Sequence, residues 1–170
     1  MKIGEEFYKD NSELINKLRQ IPILEHFSES DFQELLQMAK LLEYKPGELI
    51  LEEGSHDNWI FYLVSGKAKI IKNGKVLVTL RRIGDVFGEM GIIGGTIRSA
   101  SVQAIDRTIC LATDISNIDK LPREKRSDIK YIVFRGFAEI LASRLRETTE
   151  ELVRCKEEIQ RLKHLLDNKG

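Results

Sequence analysis

Residues 67–80 read KAKIIKNGKVLVTL, two runs of β-branched and aliphatic residues separated by Asn73-Gly74. A two-residue turn of type I′ needs positive φ at both central positions, and Asn-Gly is the pair that accepts this most easily. The stretch therefore predicts a β-hairpin. Short apolar runs bounded by glycines continue on both sides of it: ELILEEG, WIFYLVSG, RRIGDVFG, RSASVQAI and TICLAT. Many short strands with regular turn signals predict an antiparallel sandwich or barrel rather than a parallel α/β sheet.

Upstream of Pro46-Gly47 the pattern is helical. Leu14, Ile15 and Leu18, then Phe32, Leu35, Leu36, Ala39 and Leu42, return at helical spacing. Ser28 followed by Asp31 reads as an N-cap pair for the second of these helices. Downstream of Pro122 the chain from about Ser127 has only Gly136 and Gly170 as glycines and no proline. It reads as one helix of roughly 40 residues, about 60 Å long if unbroken.

Along that helix Phe134, Ala138, Leu141, Leu145, Thr148, Leu152, Cys155, Ile159, Leu162 and Leu166 alternate spacings of four and three. This is a heptad seam. With Leu145, Leu152, Ile159 and Leu166 at a, Glu151 and Glu158 fall at g and Lys156 and Lys163 at e. Such g-to-e pairs suit a parallel homodimer through residues 134–166. A single amphipathic helix folded back on its own domain is the alternative. The expected organisation is a helical segment over 1–43, a β-roll over 44–114, a connector over 115–126 and the long helix over 127–170.

With 27 basic and 27 acidic residues among 170, the chain has no net charge to favour a nucleic-acid backbone. No apolar run is long enough for a signal peptide or a membrane span, so a cytoplasmic protein is expected. Cys110 and Cys155 lie far apart, and His26, His56 and His164 share no ligand spacing, so neither a metal site nor a nucleophile motif is expected. Trp59, Phe61 and Tyr62 sit in a strand and read as core. Lys120, Arg123, Lys125, Arg126 and Lys130 read as a solvated face.

The chemistry concentrates in FGEMGIIGGTIRSASVQA, residues 87–104. Gly88 and Gly91 allow close backbone approach around one helical turn, and Arg98 stands across the following loop. A guanidinium fork suits the non-bridging oxygens of a phosphodiester. Glu89 would repel a phosphate, which leaves it a hydroxyl to accept from, and a ligand with both groups is a nucleotide. On the residues alone, an ion pair of Glu89 with Arg98 closing the loop remains open.

The stretch FGEMGII…RSASVQA resembles the phosphate-binding cassette of cyclic nucleotide-binding domains, as in catabolite activator proteins and regulatory subunits of cyclic-AMP-dependent kinase. YKPGELILEEGS, FYLVSGKAKI and LRRIGDVFGEMG are similar to the family's earlier strands, with Gly47, Gly54, Gly66 and Gly84 at its turns, so residues 20–150 are covered. The resemblance implies a β-roll or jelly roll followed by a dimerisation helix. It implies that Gly88 and Glu89 meet the ribose 2′-hydroxyl, with Met90 in the same contact set, and that Arg98 pairs with the cyclic phosphate, supplemented by Ser99 and Ala100. ASRLRETTEEL, residues 142–152, is similar to the dimerisation helix of the catabolite activator. By that match Thr148 meets the base in its own subunit and Thr149 the base in the partner's. A polar Thr148 at a d position is consistent with such a duty, and equally with selection of coil register.

The expected function is a homodimeric cyclic nucleotide sensor, cyclic AMP before cyclic GMP. It is expected to pass occupancy to an effector protein, with no direct DNA or membrane binding and no catalysis. A degenerate roll serving only as a dimerisation scaffold is the alternative.

Overall fold

In the computed structural model, which describes residues 2–3, 12–95 and 97–167, Asn73 and Gly74 have φ of 50° and 75° and turn β5 (Ala68–Lys72) into β6 (Lys75–Leu80). The hairpin expected from the turn chemistry is present. The other strands are β1 (Lys2–Ile3), β2 (Ala39–Tyr44), β3 (Leu49–Leu51), β4 (Trp59–Ser65), β7 (Val86–Phe87), β8 (Ser101–Ala104) and β9 (Thr108–Asp114). All pairings are antiparallel. They form a five-stranded sheet in the order β1-β2-β9-β4-β7 and a four-stranded sheet in the order β3-β8-β5-β6. This is the antiparallel β-roll that the strand pattern predicts.

Between the sheets lies the main core. Phe61 and Phe87 stack at 5.3 Å between centroids, surrounded by Leu51, Leu63, Leu80 and Val102. Alternation along β4 sends Ile60, Tyr62 and Val64 to the opposite face, where they are equally buried. Helix α1 (Ser12–Arg19), helix α2 (Glu29–Met38) and a 3-10 turn over Ile115–Lys120 supply the apolar residues on that side, among them Leu18, Phe32, Leu35 and Ile118. The core reading of Phe61 and Tyr62 holds, and Trp59 packs against the core edge with the Lys40 ammonium 4.7 Å from its ring centroid.

Ser28 caps α2 as expected, its Oγ accepting from the Asp31 N–H at 3.2 Å. The helix ends earlier than the spacing predicts. Ala39 and Leu42 belong to β2, which pairs with β9 from Ala39↔Thr113 to Tyr44↔Thr108. Residues 39 and 41 are the buried positions of an alternating pattern, and the six-residue ladder to β9 favours the strand, so tertiary pairing decides.

Helix α3 is a single turn, Glu89–Ile93, and α4 runs Arg123–Asp167. The long helix thus starts several residues before Ser127, directly after Pro122, whose carbonyl accepts from Arg126 N–H at 2.9 Å. Proline suits a helix start because its missing N–H is not needed there. In the basic run, Lys125 pairs with Glu34 and Lys130 with Asp119. The chain divides into two units, Met1–Val133 and Phe134–Gly170. In the second, every residue from Leu145 to Asp167 is exposed, including Leu145 at 70% and Leu166 at 72%. No helix of the described residues is long and apolar enough to cross a membrane.

Candidate functional site

The site in the first unit is built on the turn from β7 into α3 and the loop into β8. Gly88 caps α3 with φ of 93°, and a Cβ there would come within 2.9 Å of both the Arg98 Nη1 and the Trp59 carbonyl oxygen. A side chain at position 88 is excluded by conformation and by space alike. The following Glu89 is 1% exposed. It lies close enough to Tyr62 that burial, followed by the Glu89 carboxylate, pushes the phenol well above its ordinary value, leaving Tyr62 a neutral hydroxyl.

Arg98 is 3% exposed, and its backbone is fixed on both sides: its N–H donates to Ser55 O at 2.8 Å, and its carbonyl accepts from Gly54 N–H at 2.9 Å. The guanidinium is held by a carboxylate and two carbonyls. Nε donates to Asp57 Oδ2 at 3.1 Å, Nη2 to Asp57 Oδ1 and to the Trp59 carbonyl, and Nη1 to the Gly88 carbonyl. Partial burial pushes the Asp57 carboxyl up, but the hydrogen bonds from Arg98 and from the Trp59 N–H outweigh it and hold Asp57 below the usual carboxylate range.

The sequence pattern brought out Gly88, Glu89 and Arg98, and the structure gathers them: Arg98 touches Gly88, and Gly88 precedes Glu89. Met90 and Ser99 are exposed beside one another, with Ser99 Oγ 4.0 Å from the Met90 sulfur, and Ala100 is half-buried. Thr148 and Thr149 lie in the second unit, both exposed on α4, and Thr149 Oγ1 donates to the Leu145 carbonyl at 2.7 Å. Asp57 escaped the sequence reading. It is 41 residues from Arg98 along the chain, and its only signal was the general one that a buried guanidinium requires a counter-charge.

Asp57→Asn leaves that guanidinium without its carboxylate. The expected result is a loss of about 1–3 kcal/mol in the unliganded protein. At 2–4 °C per kcal/mol that lowers Tm by about 2–12 °C, measurable by calorimetry. Because Asp57 titrates below its ordinary value when folded, its stabilisation is complete above about pH 4 and is lost as pH falls further. The wild-type and Asp57→Asn melting temperatures are therefore expected to converge on acidification.

Elsewhere, Cys110 is a core thiol, pushed up to about 12 by burial, and Cys155 is exposed on α4. Among the described residues no group of three or more His, Cys, Asp or Glu is placed to hold a metal ion.

Residues 41–125, half of the chain, match the cyclic nucleotide-binding domain family, and the chain belongs to that family. Over 120 residues it is 30% identical to a cAMP-dependent protein kinase regulatory subunit of Schizosaccharomyces pombe, covering 70% of this chain and 29% of that one. A cGMP-dependent protein kinase of Toxoplasma gondii is 27% identical over 119 residues, covering 70% of this chain and 12% of that one. Among solved structures, Thermus thermophilus catabolite activator protein is similar with a TM-score of 0.60 and 27% identity, covering 77% of this chain and 61% of that one. The chain spans less than a third of the length of these two curated relatives.

Proposed function

We propose that this chain is a cyclic nucleotide-binding regulatory module that takes cyclic AMP in preference to cyclic GMP and acts as a homodimer on an effector protein. The observation that carries the reading is the buried, pre-oriented Arg98 guanidinium beside Gly88 and Glu89. Keeping a guanidinium in the protein interior is costly, and a ligand with a permanent negative charge gives that cost a purpose. Of the five N–H groups of an arginine, four bonds to Asp57, Gly88 and Trp59 occupy all but one. A cyclic phosphate would meet the remaining N–H and compete with Asp57 for the fork. Glu89 accepts from the ribose 2′-hydroxyl, and Met90, Ser99 and Ala100 complete the contact set.

The preference for cyclic AMP is supported by Thr149. Its hydroxyl proton is directed to the Leu145 carbonyl. What it offers outward is lone pairs, which fit the exocyclic amine that adenine presents where guanine has a carbonyl oxygen. In this reading Thr148 meets the base in its own subunit and Thr149 that of the partner subunit. Ligand can then bias the arrangement of roll and helix without being chemically changed.

A thermal-shift panel tests the class of ligand. Cyclic AMP is expected to raise Tm most, cyclic GMP less, and 5′-AMP not at all at equal concentration. Chromatography of the recovered cyclic AMP is expected to return it intact. A larger shift with 5′-AMP, or conversion of the ligand, would contradict the proposal.

A further inference from the structure

Arg98 reaches its place without a sheet ladder. It precedes β8, and both of its backbone polar groups are satisfied by the connection between β3 and β4: Ser55 O accepts from its N–H, and Gly54 N–H donates to its carbonyl. Asp57, from the same connection, holds the guanidinium. Residues 53–57 therefore fix the main chain and the side chain of Arg98 together. Within the connection, the Ser55 N–H and Oγ both donate to the Glu52 carbonyl, at 3.2 and 2.6 Å, and close a local turn.

The connection is anchored at both ends. Next to β4, the Asn58 carbonyl accepts from Ile115 N–H at 3.0 Å and the Asp57 carboxylate from Trp59 N–H at 2.9 Å. Next to β3 the anchor is Glu53. Its N–H donates to Ser101 Oγ at 2.9 Å, and its carboxylate accepts from the Lys72 ammonium at 2.6 Å and from Asn73 N–H at 3.3 Å. Sheet order explains the reach. β8 lies between β3 and β5, and the pairings Leu51↔Val102 and Ile71↔Ser101 bring the three strands level where the chain from Arg98 enters β8. Glu53 spans β8 there and joins the end of β3 to the tip of the β5–β6 hairpin. The bond from Lys72, and then that from Asn73, hold its carboxyl below the ordinary value, so the acceptor is charged at neutral pH.

We propose that Glu53 is a positioning residue for Arg98, acting through residues 53–57 rather than by contact with a ligand. The proposal rests on the proposed nucleotide site. A partly exposed ion pair contributes little to stability by itself. The leverage of Glu53 comes from its place, two residues from the groups that bond the Arg98 main chain and four from the carboxylate that holds its fork. Without the Glu53 carboxylate, this end of the connection keeps only the bond to Ser101. Gly54 and Ser55 then move more freely, and the guanidinium spends less time where a phosphate can meet it. Glu43 supplies the comparison. It holds Arg107 by the same kind of partly exposed pair on β2, with no bond to residues 53–57 among the described residues.

The test combines isothermal titration with cyclic AMP and amide hydrogen exchange, both on the whole chain. Glu53→Ala is expected to weaken cyclic AMP binding about three- to tenfold, and Glu53→Gln, which keeps an acceptor for Asn73, by less. Lys72→Met should act like Glu53→Gln, and the two combined should be no weaker than either alone, as for two halves of one interaction. Glu43→Gln should leave the affinity unchanged. Without nucleotide, exchange at Gly54 and Arg98 should quicken several-fold in Glu53→Ala, with the amides of β4 and β9 unchanged. Circular dichroism checks folding, and the isosteric Glu53→Gln carries the test where Glu53→Ala does not fold. Wild-type affinity in a folded Glu53→Ala protein, an equal loss in Glu43→Gln, or unaltered exchange at Gly54 and Arg98 overturns the proposal. A wild type that binds neither cyclic AMP nor cyclic GMP refutes the nucleotide site alone. Exchange then decides the role of Glu53: quickened at Gly54 and Arg98, it supports Glu53 as the residue that holds Arg98, and unaltered, it overturns it.

Discussion

Arg98→Ala is expected to weaken cyclic AMP binding ten- to 150-fold, because it removes a charge-assisted hydrogen bond that contributes about 1.5–3 kcal/mol. The same substitution removes the ion-pair partner of the Asp57 carboxylate and leaves it the Trp59 N–H. Loss of folding and loss of binding must therefore be separated. Arg98→Lys does this: it keeps a cation for Asp57 but gives up the planar fork, so it should fold and still bind several-fold more weakly. Calorimetric affinities, with circular dichroism as the folding check, measure both. Wild-type affinity in a folded Arg98→Ala protein would remove Arg98 from the site.

The second large effect concerns the proposed dimer. Leu152→Asp/Ile159→Asp is expected to convert the protein to monomer. Each buried aliphatic side chain contributes about 1.5–3 kcal/mol, and four are lost per dimer, so dissociation should rise on the order of 10⁴-fold or more. Analytical ultracentrifugation reads the change directly. Orientation has its own readout through Cys155, exposed on α4 at a d position. A parallel, in-register coil brings the two copies of Cys155 together, so a short bismaleimide should cross-link the wild type efficiently and the double variant not at all. A wild type that stays monomeric at tens of micromolar, or a double variant that stays dimeric, would contradict the seam.

These two sites were not equally visible in the amino-acid pattern. Elements defined by local chemistry were legible: Asn73-Gly74 imposes positive φ on its own turn, and Ser28 caps the helix three residues ahead. Elements settled by tertiary pairing were not. Ala39 and Leu42 fit helical spacing while Ala39 and Leu41 fit strand alternation, and the ladder to β9 makes the segment a strand. The start of α4 was obscured because Arg123–Arg126 carries charge and no apolar periodicity. At the site, Gly88, Glu89 and Arg98 share one short stretch and could be found together. Asp57 could not, since the contact with Arg98 exists only after β4 and the 54–55 loop have folded against the cassette.

Asp57 also sharpens what binding must accomplish. In the proposed site, a phosphate would meet not a vacant guanidinium but one already bonded to a carboxylate and two carbonyls. Asp57 titrates below its ordinary value, so competition between it and a phosphate is expected to ease only as pH falls below about 4.

The buried Arg98 and Glu89 are proposed to form a cyclic nucleotide site. Isothermal titration of the wild-type chain with cyclic AMP tests it most directly. Saturable binding of one nucleotide per chain is expected, tighter than for cyclic GMP. Absence of binding heat for both nucleotides, with no shift in melting temperature, would contradict it and favour a roll that serves only as a scaffold for dimerisation.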